Sequence, residues 1–226
     1  SSREISYILN HSGAKVLVFD SELSSTVKAI KDDVPGVSTF VQVLDGFPVE
    51  PEIPGVDYET FLASAPDGEH IERLSSELDS IAINYTSGTT GMPKGVQYSA
   101  RGAYMNALGE ILECGLNSRG VYLWTLPMFH CNGWCYTWGV TAVGATHICL
   151  RRVDPPEVYR LIRDKQVTHM CCAPTILTAL YSSQDAEGQD LSKLTIMTAG
   201  APPAPQVIRT IENMGAYIYH AYGLTE

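Results

Sequence analysis

From residue 99 onward, short apolar runs alternate with segments that carry helix start and stop signals, and this alternation constrains the fold more than any other feature. Ser99 can cap a helix that runs through Cys114 and ends at Gly115. Asp154, Pro155 at N1 and Glu157 at N3 mark another start, with Val158, Leu161 and Ile162 on the inner face. Further helices are expected at 134–143, from Pro174 to Tyr181, and over 205–214. Between them, strand-like runs fall at 121–126, 146–150, 167–173, 194–198 and 216–219. Strands alternating with helices predict an α/β fold of layered, largely parallel sheets flanked by helices. Earlier in the chain the pattern predicts helices at 4–11 and 23–30 and strands at 15–19 and 41–44. Residues 46–68, rich in Pro, Gly and acidic side chains, read as a connection with one amphipathic patch at 58–62. The expected division is an outer α/β portion, 1–78, and a portion, 79–226, that carries the ligand-binding loops.

Residues 85–96 read Tyr-Thr-Ser-Gly-Thr-Thr-Gly-Met-Pro-Lys-Gly-Val, between apolar runs at 81–83 and 96–98. Three glycines let the backbone turn tightly and bring its N–H groups to an anion, while four hydroxyls add donors. Lys94 adds a compact positive charge suited to phosphate. The P-loop pattern does not fit, because Pro93 has no N–H to give and Gly95 has no hydroxyl for magnesium. The chemistry is that of a loop gripping polyphosphate in another way.

The formal charge of −10, with no Lys/Arg cluster to offset it, argues against a nucleic-acid partner. Cys114, Cys131, Cys135, Cys149, Cys171 and Cys172 form no CxxC pair, and several sit in apolar runs, as buried free thiols do. His130, Cys131 and Cys135 match no zinc-ligand spacing. Residues 121–150 contain no Asp, Glu, Lys or Arg, but Pro127, Asn132, Gly133, Gly139 and Gly144 interrupt the stretch. It therefore reads as strand, loop, helix and strand rather than a membrane span.

The 85–96 segment resembles the phosphate-loop signature of the adenylate-forming, or AMP-binding, superfamily, which includes acyl-CoA synthetases, peptide-synthetase adenylation domains and firefly luciferase. Three later loops, 127–134, 200–203 and 222–226, resemble superfamily motifs in the expected order, and the run 3–20 also resembles acyl-CoA synthetase sequence. The resemblance implies that Thr86, Ser87, Gly88, Thr89, Thr90 and Lys94 hold the β- and γ-phosphates of ATP. It implies that the Gly200, Ala201 and Pro202 backbone lines the adenine pocket, and that Tyr222 stacks on the base within a segment that includes His220, Ala221 and Gly223. Thr225 would bond the α-phosphate and Glu226 would help hold Mg²⁺. His130 would stand near the acyl carboxylate, in a substrate pocket shared with Cys131, Gly133 and Trp134.

The implied reaction is ATP-dependent activation of a small-molecule carboxylic acid through an acyl-adenylate, then transfer to CoA. The 130–134 loop and the opening region are closer to synthetases for short- or medium-chain fatty and aromatic acids than to peptide synthetases. Two other readings are an adenylation domain that loads a carrier protein and a non-catalytic nucleotide-binding module. The resemblance leaves room for a homodimer. It also implies parts beyond Glu226: an aspartate for the ribose hydroxyls and a small domain bearing a lysine needed for adenylation. The 226 residues alone are expected to bind nucleotide weakly and not to complete adenylation. The opening residues show no secretory leader pattern, which favours the cytoplasm, and a peroxisomal address would lie at a more distant carboxyl terminus.

Overall fold

The structure is a computed structural model that describes residues 1–45, 53, 55–66, 68, 74–86 and 91–226. By internal packing the chain divides into two compact units, Ser1–Ser75 with Tyr85–Val96, and Ser76–Asn84 with Gln97–Glu226.

In the first unit, helix α1 (Ser2–Ser12) opens with a Ser1–Glu4 capping box and stops at Gly13, whose φ of 70° is left-handed. Strand β1 (Val16–Asp20), helix α2 (Ser24–Ile30), strand β2 (Thr39–Val43), the short strand β3 (Val56–Asp57) and helix α3 (Tyr58–Ala63) follow. The three strands form a parallel sheet in the order β1-β2-β3. Phe19, Val27 and Ile53 make its small core, with Leu17 and Phe40 packed against them. β3 was not anticipated; its two residues pair with Val41 and Gln42.

Strands β4 (Ser80–Tyr85) and β5 (Gly95–Ser99) pair with each other, and the unit boundary falls within this two-stranded sheet. The second unit continues with helix α4 (Ala100–Cys114), strand β6 (Val121–Trp124), the single turn α5 (Cys131–Trp134) and helix α6 (Tyr136–Ala142). Strand β7 (Thr146–Cys149), helix α7 (Pro155–Lys165), strand β8 (His169–Cys172) and helix α8 (Pro174–Ser182) follow. Strand β9 (Thr195–Thr198), helix α9 (Pro205–Asn213) and strand β10 (Tyr217–His220) complete the unit. The five strands form an all-parallel sheet in the order β10-β9-β8-β6-β7.

Alternation along the strands sorts the core onto two faces. Leu123, Met170, Cys172 and Ile196 pack with Val158 and Ile162 of α7, Leu177 and Leu180 of α8, and Val207 and Ile211 of α9. Tyr122, Trp124, Cys171 and Met197 pack with Cys114 of α4 and with Tyr136 and Val140 of α6. A parallel sheet covered on both faces needs strands that are apolar throughout, which is why β8 is buried at all four positions.

α4 has the expected caps, with Ser99 Oγ accepting from Gly102 N and Gly115 at φ 66°. Asp154 precedes α7, but its side chain makes no capping hydrogen bond, and Glu157 pairs with Arg160 at 2.7 Å instead. The helix expected from residue 134 begins at Tyr136, because residues 131–135 turn the other way. All six cysteines are free, and five are buried; Cys149 is exposed, contrary to expectation, on the edge strand β7. Among the described residues, no helix is long and apolar enough to cross a membrane.

Candidate functional site

In an open parallel sheet, the chain leaves each strand's carboxyl end on the same edge, and ligands gather where the strand order reverses. Here β7 lies on one side of β6, whereas β8, β9 and β10 lie on the other, so the reversal falls at β6. The loops that follow β6, β9 and β10 are the 127–134, 200–203 and 222–226 segments singled out from the sequence.

The loop after β6 is anchored by Thr125, whose buried hydroxyl donates to the Cys171 carbonyl at 2.8 Å. His130 N–H donates to the Pro127 carbonyl at 3.1 Å, and the His130 side chain is exposed. The backbone then enters a left-handed turn, with φ of 50°, 50°, 60°, 53° and 65° at Cys131, Asn132, Gly133, Trp134 and Cys135. Only glycine and, to a lesser degree, asparagine adopt this conformation readily; elsewhere it costs about 1–2 kcal/mol per residue. Such strain persists where the surroundings enforce it, and it concentrates at functional sites. Gly133 is required here for a second reason. A Cβ at this position would collide with Trp124 Cζ3 and stand 2.8 Å from Cη2.

The turn buries Cys131, whose thiol donates to Thr225 Oγ1 at 3.6 Å and lies 4.0 Å from His130 Nε2. Thr225 is also held from below, because the Tyr98 hydroxyl on β5 donates to its carbonyl at 2.7 Å. Burial pushes the Tyr98 phenol well above its ordinary pKa, and nearby Cys131, Cys135 and Glu226 add to the effect. Tyr98 therefore stays a neutral donor. The thiol fills one lone pair of the Thr225 hydroxyl and leaves its O–H to point elsewhere. Trp134 is half-buried against the α4–α6 side of the core, and its carbonyl accepts from Asn106 Nδ2 at 3.5 Å. Burial raises the Cys135 thiol, which keeps it protonated.

After β9, Gly200 adopts φ 92°, and Ala201 and Pro202 are exposed, so this loop offers backbone. After β10, Ala221 N–H extends the ladder to the Thr198 carbonyl at 2.9 Å. Tyr222 is 90% exposed, with its ring face open, and His220 and Gly223 beside it are also exposed. Glu226 is exposed as well. Thus His130, Cys131 and Thr225 come together. Among the described residues, no hydrogen bond joins Gly200, Ala201 or Pro202 to Tyr222.

In the first unit, the neck of the loop expected to hold phosphates is closed at Thr86 and Lys94. Thr86 N–H donates to the Lys94 carbonyl at 3.0 Å, and Lys94 N–H donates to Thr86 Oγ1 at 3.3 Å. The Thr86 hydroxyl is thus engaged in shaping the loop, and Lys94 is exposed. Ser87, Gly88, Thr89 and Thr90 lie outside the described residues. Just before the loop, the Tyr85 hydroxyl meets His11 Nδ1 at 2.8 Å, and Tyr7 stacks on His11 at 5.2 Å.

Sequence reasoning missed Tyr85–His11, Tyr98, and the pair Trp124 and His147. All are aromatic or imidazole groups on regular elements, where packing alone would account for them. Only tertiary partners distinguish them.

Residues 1–226 match the AMP-binding enzyme family, and the chain belongs to it. A 4-hydroxybutyrate–CoA ligase of Metallosphaera sedula is 38% identical over 231 residues, covering 100% of this chain and 42% of the relative. A peroxisomal butyrate–CoA ligase of Arabidopsis thaliana is 36% identical, covering 100% of this chain and 41% of the relative. The chain thus spans less than half the length of these relatives. The inhibitor-bound N-terminal domain of FACL13 from Mycobacterium tuberculosis superposes with a TM-score of 0.86 at 25% identity, covering 100% of this chain and 55% of that one. An anthranilate–CoA ligase solved with anthranoyl-AMP shares the fold, with a TM-score of 0.86 at 23% identity over 100% of this chain and 44% of that one.

Proposed function

We propose that the protein carrying this chain activates a small carboxylic acid with ATP and transfers the acyl group to CoA. The observation that carries the reading is the meeting of the β6 and β10 loops at Thr225, at the edge where the strand order of the parallel sheet reverses. Family membership supports the nucleotide, and the naming of relatives as CoA ligases supports the thiol acceptor.

In the first step a carboxylate oxygen attacks the α-phosphorus, the O–P bond forms, and the bridging α–β bond breaks to release pyrophosphate. The Thr225 O–H, freed by the Cys131 thiol, donates to the α-phosphate oxygen on which charge develops. Lys94 offsets charge on the β- and γ-phosphates, in a loop whose glycines and hydroxyls suit an anion. Tyr222 offers an open ring face to adenine beside the Gly200–Pro202 backbone. In the second step a thiol sulfur attacks the acyl carbon, AMP leaves with the bonding pair, and the thiol proton is lost.

The Glu226 carboxylate is exposed and has no hydrogen-bond or ion-pair partner among the described residues, which suits a hard cation held mainly by phosphate oxygens. Mg²⁺ bound there would neutralise phosphate charge. His130 and Trp134, with Cys131 and Gly133, would border the acid. The relatives' substrates, butyrate and 4-hydroxybutyrate, favour a short chain.

Carboxylate-dependent ATP–pyrophosphate exchange in the full-length protein, without CoA, tests the reading. Exchange with short-chain acids is expected, and Lys94→Ala should lower it about 100-fold or more, the usual scale for losing one stabilising contact to developing charge. Exchange that is indifferent to both acid and Lys94 would contradict it.

A further inference from the structure

The left-handed turn at 131–135 is expensive, and its own side chains do not explain why it persists. Its support lies beneath it, in a chain of hydrogen bonds that begins with Trp124. Indole Nε1 can only donate, and it does so to His147 Nδ1 at 2.9 Å. His147 Nδ1 must therefore accept, which puts the imidazole proton on Nε2 in the neutral ring. Nε2 then donates to Thr141 Oγ1 at 3.1 Å, and Thr141 Oγ1 donates to the Thr137 carbonyl at 2.8 Å. Thr137 Oγ1 in turn donates to the carbonyl of Asn132, inside the turn, at 3.1 Å. The series links β6, β7, α6 and the turn.

Two geometric facts make the series more than packing. The indole and imidazole planes differ by 1°, with centroids 5.9 Å apart, so the hydrogen bond fixes the rotation of the indole. The opposite edge of that ring, at Cζ3 and Cη2, fills the space that a Cβ on Gly133 would need. A change in indole angle would therefore be felt directly at Gly133, and two residues away at Cys131 and its contact with Thr225.

We propose that His147 is a positioning residue for acid activation: through Trp124 and the Thr141–Thr137 series it sets the left-handed turn that presents Cys131 to Thr225. His147 lies on the edge strand β7 and makes no hydrogen bond to the turn itself among the described residues. It acts through the indole. The kinetic part of the proposal rests on the acid-activating reading of the site; the structural part does not.

The full-length protein, His147→Phe and His147→Asn separate the possibilities. Phe keeps a planar ring but leaves Trp124 Nε1 without an acceptor, whereas the Asn side-chain oxygen can stand in for Nδ1. Amide hydrogen exchange over 131–139 reads the turn directly, since Gly133 N–H donates to the His130 carbonyl and Gly139 N–H to that of Cys135. His147→Phe should accelerate exchange there about tenfold, leave α9 unchanged, and be reversed by Asn. Thr141→Val, which removes the other partner of the imidazole, should act in the same direction. Unchanged exchange in the turn, or an equal acceleration throughout the unit, would overturn the proposal.

The turn also carries Cys131, Gly133 and Trp134, which border the acid in the proposed function. In acid-dependent ATP–pyrophosphate exchange, His147→Phe should therefore raise the KM for the acid about tenfold and leave the KM for ATP within about twofold. An unchanged acid KM in that variant, with an active parent, overturns the kinetic part. A parent protein without acid-dependent exchange instead contradicts the proposed function, and the amide data alone then decide the positioning role.

Discussion

Tyr98 and Gly133 show how single side chains, or the lack of one, shape this site. The Tyr98 hydroxyl is the one donor to the Thr225 carbonyl among the described residues, and burial keeps it neutral. Tyr98→Phe should remove a bond worth about 0.5–1.5 kcal/mol and lower kcat/KM for acid-dependent exchange about 2- to 12-fold. Steady-state rates in the full-length protein check this, and unaltered kcat/KM would show that Thr225 is held adequately without it. Gly133→Ala combines a left-handed φ with a clash against the Trp124 ring. The expected loss is about 2–4 kcal/mol, read as a lower urea midpoint at unchanged slope. A midpoint equal to the parent's would mean that the turn yields easily. Tyr98 did not stand out in the sequence, and Gly133 was expected as a pocket residue, not as the point where the Trp124 ring packs. A tyrosine on a strand and a glycine in a loop are ordinary, and their roles depend on partners remote along the chain.

At the scale of elements, legibility follows how local the signal is. α4 was legible because Ser99 and Gly115 cap it through bonds to near neighbours. Ser99→Ala should cost about 1 kcal/mol, measurable by urea denaturation, whereas no change would indicate that α4 is set by packing alone. The loops after β6, β9 and β10 were also legible, since strand-ending residues mark them and their motifs are contiguous. The left-handed turn was not, because Cys131, Trp134 and Cys135 have no local preference for positive φ, and the His147–Trp124 bond that braces it joins two different strands. Asp154 illustrates the opposite error: a good capping residue whose side chain makes no cap.

Strand β8 adds a dependence on pH. Burial lowers the pKa of His169 from 6.5, partly offset by its bond to the Cys114 carbonyl, and burial lowers that of His147 on β7 as well. The unfolded chain therefore binds these protons first as pH falls. Stability is complete above about pH 6.5 and is lost as pH drops towards the depressed native values. Urea midpoints at about pH 7.5 and 5.5 should differ in that direction, with the lower pH less stable. Equal midpoints, or a higher one at the lower pH, would contradict the assignment of both imidazoles as neutral.

For the whole molecule, the proposed reaction begins with attack of the carboxylate on the α-phosphorus of ATP. The all-parallel sheet of the second unit brings the loops after β6 and β10 together at Thr225, and within the first unit Thr86 and Lys94 close the neck of their own loop. Acid identity is not legible at this scale, because one methylene in an apolar pocket changes binding by only about 1–3 kcal/mol. The path of oxygen is decided by the mechanism alone. Full turnover by the full-length protein with a short-chain acid labelled with heavy oxygen in its carboxylate, ATP and CoA should yield AMP carrying one labelled oxygen. Labelled inorganic phosphate together with ADP, or AMP without label, would contradict the account.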